Sequence, residues 1–208
     1  DYRWYTNGID KEFLEIKAIK KAKSKQSKIL QVIYAGNLGE GQGLHNILPQ
    51  LAKMLEGRVE FNIIGDGGRK ALLESALALN NVTNVKLLPP VNRDELIICY
   101  QKADILFLHL NDYSAFKKVL PSKIFEYSAM GKPILAGVSG YAAEFLNAEV
   151  ENSAVFEPGD YQQAVQLLDS LDMTLTKRDD FITKYSRVNI MSQMAKDLVD
   201  FASNRIKL

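Results

Sequence analysis

The chain is predicted to be an α/β protein, a doubly wound parallel sheet with helices on both faces. Three observations predict this. Apolar runs of strand length recur at 29–35, 59–64, 85–88, 104–108, 134–136 and 154–156. Between most of them lie segments whose apolar side chains follow helical spacing, and that alternation implies parallel strands joined by right-handed crossovers. Glycine or proline clusters follow the strands, where a sheet of this kind receives its ligands.

The 208 residues are enough for one good core or two small ones. Hydrophobic residues make up 47% and charged ones 25%, the ordinary balance of a globular chain. A net charge of +1 gives no global field for nucleic acid or an anionic membrane, although local basic patches remain open. Cys99 is the only cysteine, which excludes an internal disulfide framework and a CxxC metal site. Flanked by Ile98 and Tyr100 in a helical pattern, it reads as a small core hydrophobe. No apolar run reaches the length of a membrane span, and no signal-peptide pattern opens the chain.

Asn7-Gly8 marks a turn. Phe13, Ile16 and Ile19 then have helical spacing, which predicts a connecting helix over 11–27. Lys17, Lys20, Lys21, Lys23, Lys25 and Lys28 form a charge run that reads as a solvated face or linker, with contact to acidic lipid or another domain as the alternative. The first strand, 29–35, runs into Gly36-Asn-Leu-Gly-Glu-Gly-Gln-Gly43, and 44–55 is helical. Strand 59–64 ends on Gly65-Asp-Gly-Gly68, followed by an Ala/Leu-rich helix over 69–80. Strand 85–88 stops at Pro89-Pro90. Asn92 then caps a helix over 93–102, with Glu95 at the capping-box position. Asp104 sits at a helix–strand junction, 104–108 is a strand and 109–120 an irregular loop. After the next motif come a helix at 140–146, a strand at 154–156, a helix from Asp160 to about 171 and a last helix over 191–202. Together these give one Rossmann-like domain.

The most informative stretch is Leu120-Pro-Ser-Lys-Ile-Phe-Glu-Tyr-Ser-Ala-Met-Gly-Lys-Pro-Ile-Leu-Ala-Gly137. It predicts a loop, a short helix stopped by Gly131 and Pro133, and a buried strand. Pro121 suits the start of that helix and Ser122 its cap. Ser122, Lys123, Glu126 and Met130 share one face, leaving Ile124, Phe125 and Ala129 for a core. A carboxylate on that face can accept two hydrogen bonds from a vicinal diol, and Lys123 stands where an anion is favoured. An ordinary solvated Lys123–Glu126 ion pair explains the same spacing.

The motif Pro-Ser-Lys-Ile-Phe-Glu-Tyr-Ser-Ala-Met-Gly-Lys-Pro-Ile resembles the signature of retaining, family-4-like GT-B glycosyltransferases, which include bacterial polysaccharide and lipopolysaccharide transferases. The resemblance covers nearly the whole chain. Ile33-Tyr-Ala-Gly-Asn-Leu resembles the family's first strand and phosphate loop, Ile64-Gly-Asp-Gly its second strand end, Asn84 to Leu106 the segment that receives the nucleobase, and Glu151 to Asp160 the closing strand and turn. Asn7-Gly-Ile-Asp10 resembles the passage between the two halves of such enzymes. The resemblance implies a linker and connecting helix over 1–28, a nucleotide-sugar (donor) binding domain over 29–185 and a C-terminal helix over 186–208. An acceptor domain is expected upstream, outside this chain.

By that resemblance Glu126 holds the ribose and the backbone near Val91 the base. Ser122, Lys123 and the glycine loops (Gly41, Gly43, Gly65, Asp66 and Gly67) hold the diphosphate. From its place at a strand end, His109 either lines the donor pocket or packs as a neutral histidine. It implies a nucleoside-diphosphate sugar as donor, with UDP the expected nucleotide. It also implies no cofactor, no metal, and a cytoplasmic location with room for peripheral contact at the inner face of the plasma membrane. The wording of the motif is similar to O-antigen and capsule transferases, fucosamine-type enzymes among them.

Three positions depart from the family pattern. Its usual Arg and Lys in the first glycine loop are replaced by Asn37 and Gln42, and the first Glu of its Glu-x7-Glu pair by Lys118. One expectation is that Lys117, Lys118 and Lys123 supply the displaced positive charge to the leaving diphosphate; the alternative for Lys117 and Lys118 is a mobile surface loop. Asn37 and Gln42 either bond phosphate or sugar hydroxyls, or merely cap turns. Rival readings are a sugar-nucleotide epimerase on the same sheet, a non-catalytic nucleotide-sugar binding module, and an NAD-binding domain. The last finds an acidic residue at the right place in Asp66 but no clean GxGxxG.

Overall fold

The computed structural model describes residues 2–14 and 29–205. Most of the connecting helix expected over 11–27, and its lysine run, lie outside these residues; what is described of that segment includes a 3₁₀ turn at Lys11–Phe13.

Six parallel strands, β1 (Leu30–Ala35), β2 (Val59–Ile64), β3 (Val85–Leu88), β4 (Ile105–His109), β5 (Ile134–Gly137) and β6 (Ser153–Phe156), form one sheet in the order β3-β2-β1-β4-β5-β6. The order reverses between β1 and β4, the switch point of a doubly wound sheet. Helices α1 (Leu44–Met54), α2 (Lys70–Leu79), α3 (Arg93–Lys102), α4 (Lys123–Ala129) and α5 (Tyr141–Glu149) make the crossovers, and α6 (Tyr161–Leu168), after the last strand, joins them in flanking the sheet. Alternation along the central strands explains why both faces are covered. Val32, Tyr34, Ile105 and Phe107 face α1, α2 and α6, while Ile33, Ala35, Leu106 and Leu108 face α3, α4 and α5.

The predicted junctions hold. The Asn92 side chain accepts the Glu95 N–H at 2.9 Å and caps α3. Asp104 accepts the Gln31 N–H at 2.9 Å, tying the start of β4 to β1.

Three features differ from expectation. α6 stops at Leu168, and a further helix, α7 (Asp179–Tyr185), follows an irregular stretch. α8 (Arg187–Arg205) begins four residues before the predicted start at 191. The segment assigned to a linker also contributes to the core: Ile9 and Phe13 are buried beside α3, α4 and α7. Ile9 N–H donates to Tyr185 O at 2.7 Å, and its carbonyl accepts from Arg187 N at 3.0 Å.

A candidate donor cleft at the carboxyl edge of the sheet

Beyond the ends of β1, β2 and β3 lies a cleft of about 390 Å³, within the range of small-ligand sites. Its shape depends on two glycines. Gly36 and Gly65 both have φ of +150°, and a Cβ on Gly65 would stand 1.9 Å from the Gly36 carbonyl oxygen. The two turns therefore touch backbone to backbone, which only glycine permits. A Cβ on Gly36 would lie 2.2 Å from Lys123 Nζ, so its absence lets that lysine lie across the end of β1.

α4 presents Lys123 and Glu126 to this cleft, because Ile124, Phe125 and Tyr127 take its core face. Lys123 Nζ sits 5.6 Å from the centroid of the Tyr34 ring, a distance at which the ring face attracts a cation. Burial lowers the Lys123 pKa, and the Glu126 charge only partly restores it. Burial likewise raises the Glu126 pKa, opposed by Lys123 and then Arg93. No ion pair within 4 Å joins the two, so the solvated-pair explanation does not describe them. A half-buried ammonium and a half-buried carboxylate, each short of partners, are suited to a ligand that carries both an anion and hydroxyl donors.

Because the charged form of Lys123 is disfavoured in the fold, Lys123→Met is expected to stabilise the free protein while weakening nucleotide binding. A gain of ~1 kcal/mol would raise the thermal midpoint by roughly 2–4 °C in a chain of this size. Thermal melts with and without nucleotide read both effects.

The other anticipated site residues fall into groups. Asn37, Gly65, Asp66 and Val91 line the cleft beside Lys123 and Glu126. The Asn37 and Gln42 side chains bond each other, Nδ2 of Asn37 donating to Oε1 of Gln42 at 3.2 Å. Asp66 Oδ1 accepts the Gly67 N–H at 2.9 Å and acts as a turn residue. Gly41 packs under the Phe116 ring, and Gly43, with φ of +59°, lies against Asn111. The N–H groups of Gly36, Gly43 and Gly65 already donate to the carbonyls of Ile64, Glu40 and Leu88. Those glycines thus provide close approach rather than the phosphate donors expected of them. Ser122 precedes α4 but its side chain makes no capping bond. Lys117 pairs with Asp112 at 3.3 Å, and Lys118 is exposed at the end of a 3₁₀ turn. The expected cluster of three lysines does not form in this structure; of the three, only Lys123 lines the cleft.

His109 takes the second of its two expected places, a packed neutral ring rather than a lining of the cleft. It is 1% exposed, packed against the rings of Phe107 and Phe156, with both ring nitrogens engaged. Nδ1 lies 2.7 Å from Gln42 O, and Nε2 accepts the Gly159 N–H at 3.0 Å. The ring is thus neutral, donating from Nδ1, and it fastens the first glycine loop to the turn after β6. Burial pushes its pKa down to about 4, against the opposing bond to Gln42. With the folded value below the unfolded one near 6.5, the unfolded chain binds the extra proton between these values. Stability is expected to fall as pH drops from ~6.5 towards 4, with a slope approaching ~1.4 kcal/mol per pH unit. Denaturant titrations across this window should show that slope, and His109→Gln should remove it.

Sequence reading passed over two residues of consequence here. Tyr100 of α3 is fully buried yet borders the cleft; its place four residues from Leu96 on the helix's inner face was the available signal. Arg178 lies buried behind α4, holding its C-terminal end, in a stretch with no periodicity to reveal it. Among the described residues, no three His, Cys, Asp or Glu side chains gather as a metal site.

The family model "Glycosyl transferases group 1" matches residues 15–187. Over 100 residues, 48% of this chain, the sequence is 32% identical to the putative colanic acid biosynthesis glycosyl transferase WcaI of Escherichia coli (strain K12), and the match covers 24% of that protein. In fold the chain is similar to Anabaena Alr3699/HepE, solved in complex with UDP, with a TM-score of 0.70 and 18% identity over 94% of this chain and 57% of that one. It is also similar to the apo form of the lipopolysaccharide outer core galactosyltransferase WaaB, with a TM-score of 0.65 and 14% identity over 85% of this chain and 51% of that one. The chain therefore spans about half the length of these solved proteins. The sheet is that of the Rossmann-like half of a GT-B fold, and the chain belongs to the group 1 glycosyl transferases.

Proposed function

We propose that this chain is the donor-binding half of a retaining glycosyltransferase that moves a sugar from a UDP-sugar to an acceptor hydroxyl in bacterial surface-polysaccharide assembly. The observation that carries the reading is the half-buried Lys123 and Glu126, one helical turn apart on the cleft face of α4 and without ion-pair partners among the described residues. Glu126 accepts the ribose hydroxyls, Lys123 meets the diphosphate, and the apolar edge at Pro90, Val91 and Leu96 takes the base. As the glycosidic bond breaks, negative charge grows on the leaving diphosphate, and a desolvated ammonium stabilises it more than a hydrated one would. In this reading no side chain acts as nucleophile: the leaving phosphate takes the acceptor's proton on the face it departs from, which retains configuration. Neither metal nor cofactor takes part.

The preference for UDP is supported by the complex recorded for HepE, and the polysaccharide role by the names of WcaI and WaaB. The motif at 120–133 supports the narrower O-antigen or capsule reading, including aminodeoxyhexose donors. Acceptor recognition belongs to a partner domain beyond these residues, so this chain alone binds donor and transfers poorly. We place the enzyme in the cytoplasm, with room for peripheral contact at the membrane's inner face. Among the described residues no helix is long and apolar enough to cross a membrane.

Calorimetric titration of the chain with UDP, GDP, ADP and NAD tests the reading. Saturable binding of UDP, tighter than of the other three, is the expected result. A response to NAD alone would replace it with a dinucleotide-binding function.

A further inference from the structure

Three tyrosines lie beneath the cleft, and two of them have partners. Tyr34 donates from its hydroxyl to Asn37 O at 2.7 Å, and the Tyr127 hydroxyl accepts the Ala35 N–H at 3.4 Å. Tyr100 is 0% exposed, yet its hydroxyl makes no hydrogen bond among the described residues. Its ring is held edge-on to Tyr127 at 5.2 Å and stacked on Phe13 at 6.3 Å, so the phenol is fixed in place. The Tyr127 hydroxyl interacts with it without the geometry of a hydrogen bond. A buried hydroxyl without a partner is costly and uncommon, and phenylalanine would fill the same space without that cost. Tyr100 lines the cleft together with Glu126, and the Glu126 charge is felt at the phenol.

We propose that Tyr100 is a positioning residue for Glu126: with nucleotide bound, its hydroxyl donates to the Glu126 carboxylate and orients it towards the ribose diol. The inference rests on the donor-binding reading above. A carboxylate that receives two ribose hydroxyls keeps lone pairs to spare, and a rigid phenol donor on its protein side fixes which oxygen edge faces the sugar. The unpaired hydroxyl of the free protein is then satisfied only in the complex.

The test is Tyr100→Phe, alone and combined with Glu126→Ala, titrated with UDP and with 2′-deoxy-UDP alongside thermal melts. The substitution is expected to raise the melting temperature of the free protein and to weaken UDP binding by about tenfold. It should cost nothing once Glu126 is alanine, and the preference for UDP over 2′-deoxy-UDP should shrink. A purely structural role predicts instead a lower melting temperature or an equal loss in both backgrounds. Either of those results, or unchanged UDP affinity and ribose preference in Tyr100→Phe, overturns the inference while leaving the donor site standing. If the wild type fails to bind UDP, or Glu126→Ala binds it normally, the donor reading fails first and this inference with it.

Discussion

Arg178→Leu is expected to lower the unfolding free energy by about 4 kcal/mol, the scale of breaking a buried, multiply bonded charge. The guanidinium is 6% exposed and faces carbonyl oxygens rather than a carboxylate. Nη1 donates to Ser128 O at 3.1 Å, Nη2 to Lys132 O at 3.1 Å and to Glu151 O at 2.5 Å, and Nε to Glu151 O at 3.1 Å. Burial lowers its pKa to about 10, with the Glu151 charge as the opposing influence. Those carbonyls belong to the C-terminal end of α4 and to the connection before β6, so one side chain joins the helix of the candidate site to the frame. A cation at a helix C-terminus is also favoured by the helix dipole. Leucine would fill part of the volume but leave the carbonyls unsatisfied in a buried place. Urea unfolding monitored by circular dichroism measures the loss. A change below ~1 kcal/mol would mean that other groups or water satisfy these carbonyls.

The second attachment of α4 is backbone to backbone, Thr176 N–H donating to Gly131 O at 2.9 Å. Gly131 carries φ of +65°, and a Cβ there would lie 2.7 Å from Thr176 O. The helix stop read from Gly131 and Pro133 is thus also the docking point for the 172–178 segment.

That contrast shows what the sequence made legible. The strands were readable because β4 and β5 are buried along their whole length, β1 is buried from Val32 on, and β2 alternates with Val59, Phe61 and Ile63 buried. The position of Glu126 and Lys123 followed from helical spacing between a proline start and a glycine stop. The cleft's glycines were readable as sites of close approach, but not as donors, because which N–H groups the sheet consumes depends on strand register. Arg178 was not readable, since its partners are main-chain carbonyls 26 to 50 residues away that have no residue-type signature. α7 is only seven residues long, too short for periodicity, although Phe181 and Tyr185 four apart marked its buried face. His109 was placed at the right strand end, yet its contacts depend on Gly137: a Cβ there would lie 2.4 Å from the imidazole. The lysines at 117 and 118 looked like charge for the diphosphate because sequence proximity to α4 says nothing of which way a 3₁₀ turn points them.

The central claim is that Glu126 receives the ribose of a nucleotide in this cleft, and UDP titration of Glu126→Ala against the wild type tests it most directly. Two hydrogen bonds to an ionised carboxylate are worth about 1.5–3 kcal/mol each, so a loss of about two to four orders of magnitude in affinity is expected. The substitution should not lower the melting temperature at neutral pH. Burial raises the folded pKa of Glu126 above its unfolded value, so its ionised form disfavours the fold as pH rises above ~4.5. For the same reason wild-type affinity should fall with acidification at a pH above the usual carboxylate range. A hundredfold or greater loss of UDP affinity with an intact melt is the result this account predicts. Equal affinity for UDP in wild type and Glu126→Ala would contradict it and move the ribose out of this cleft.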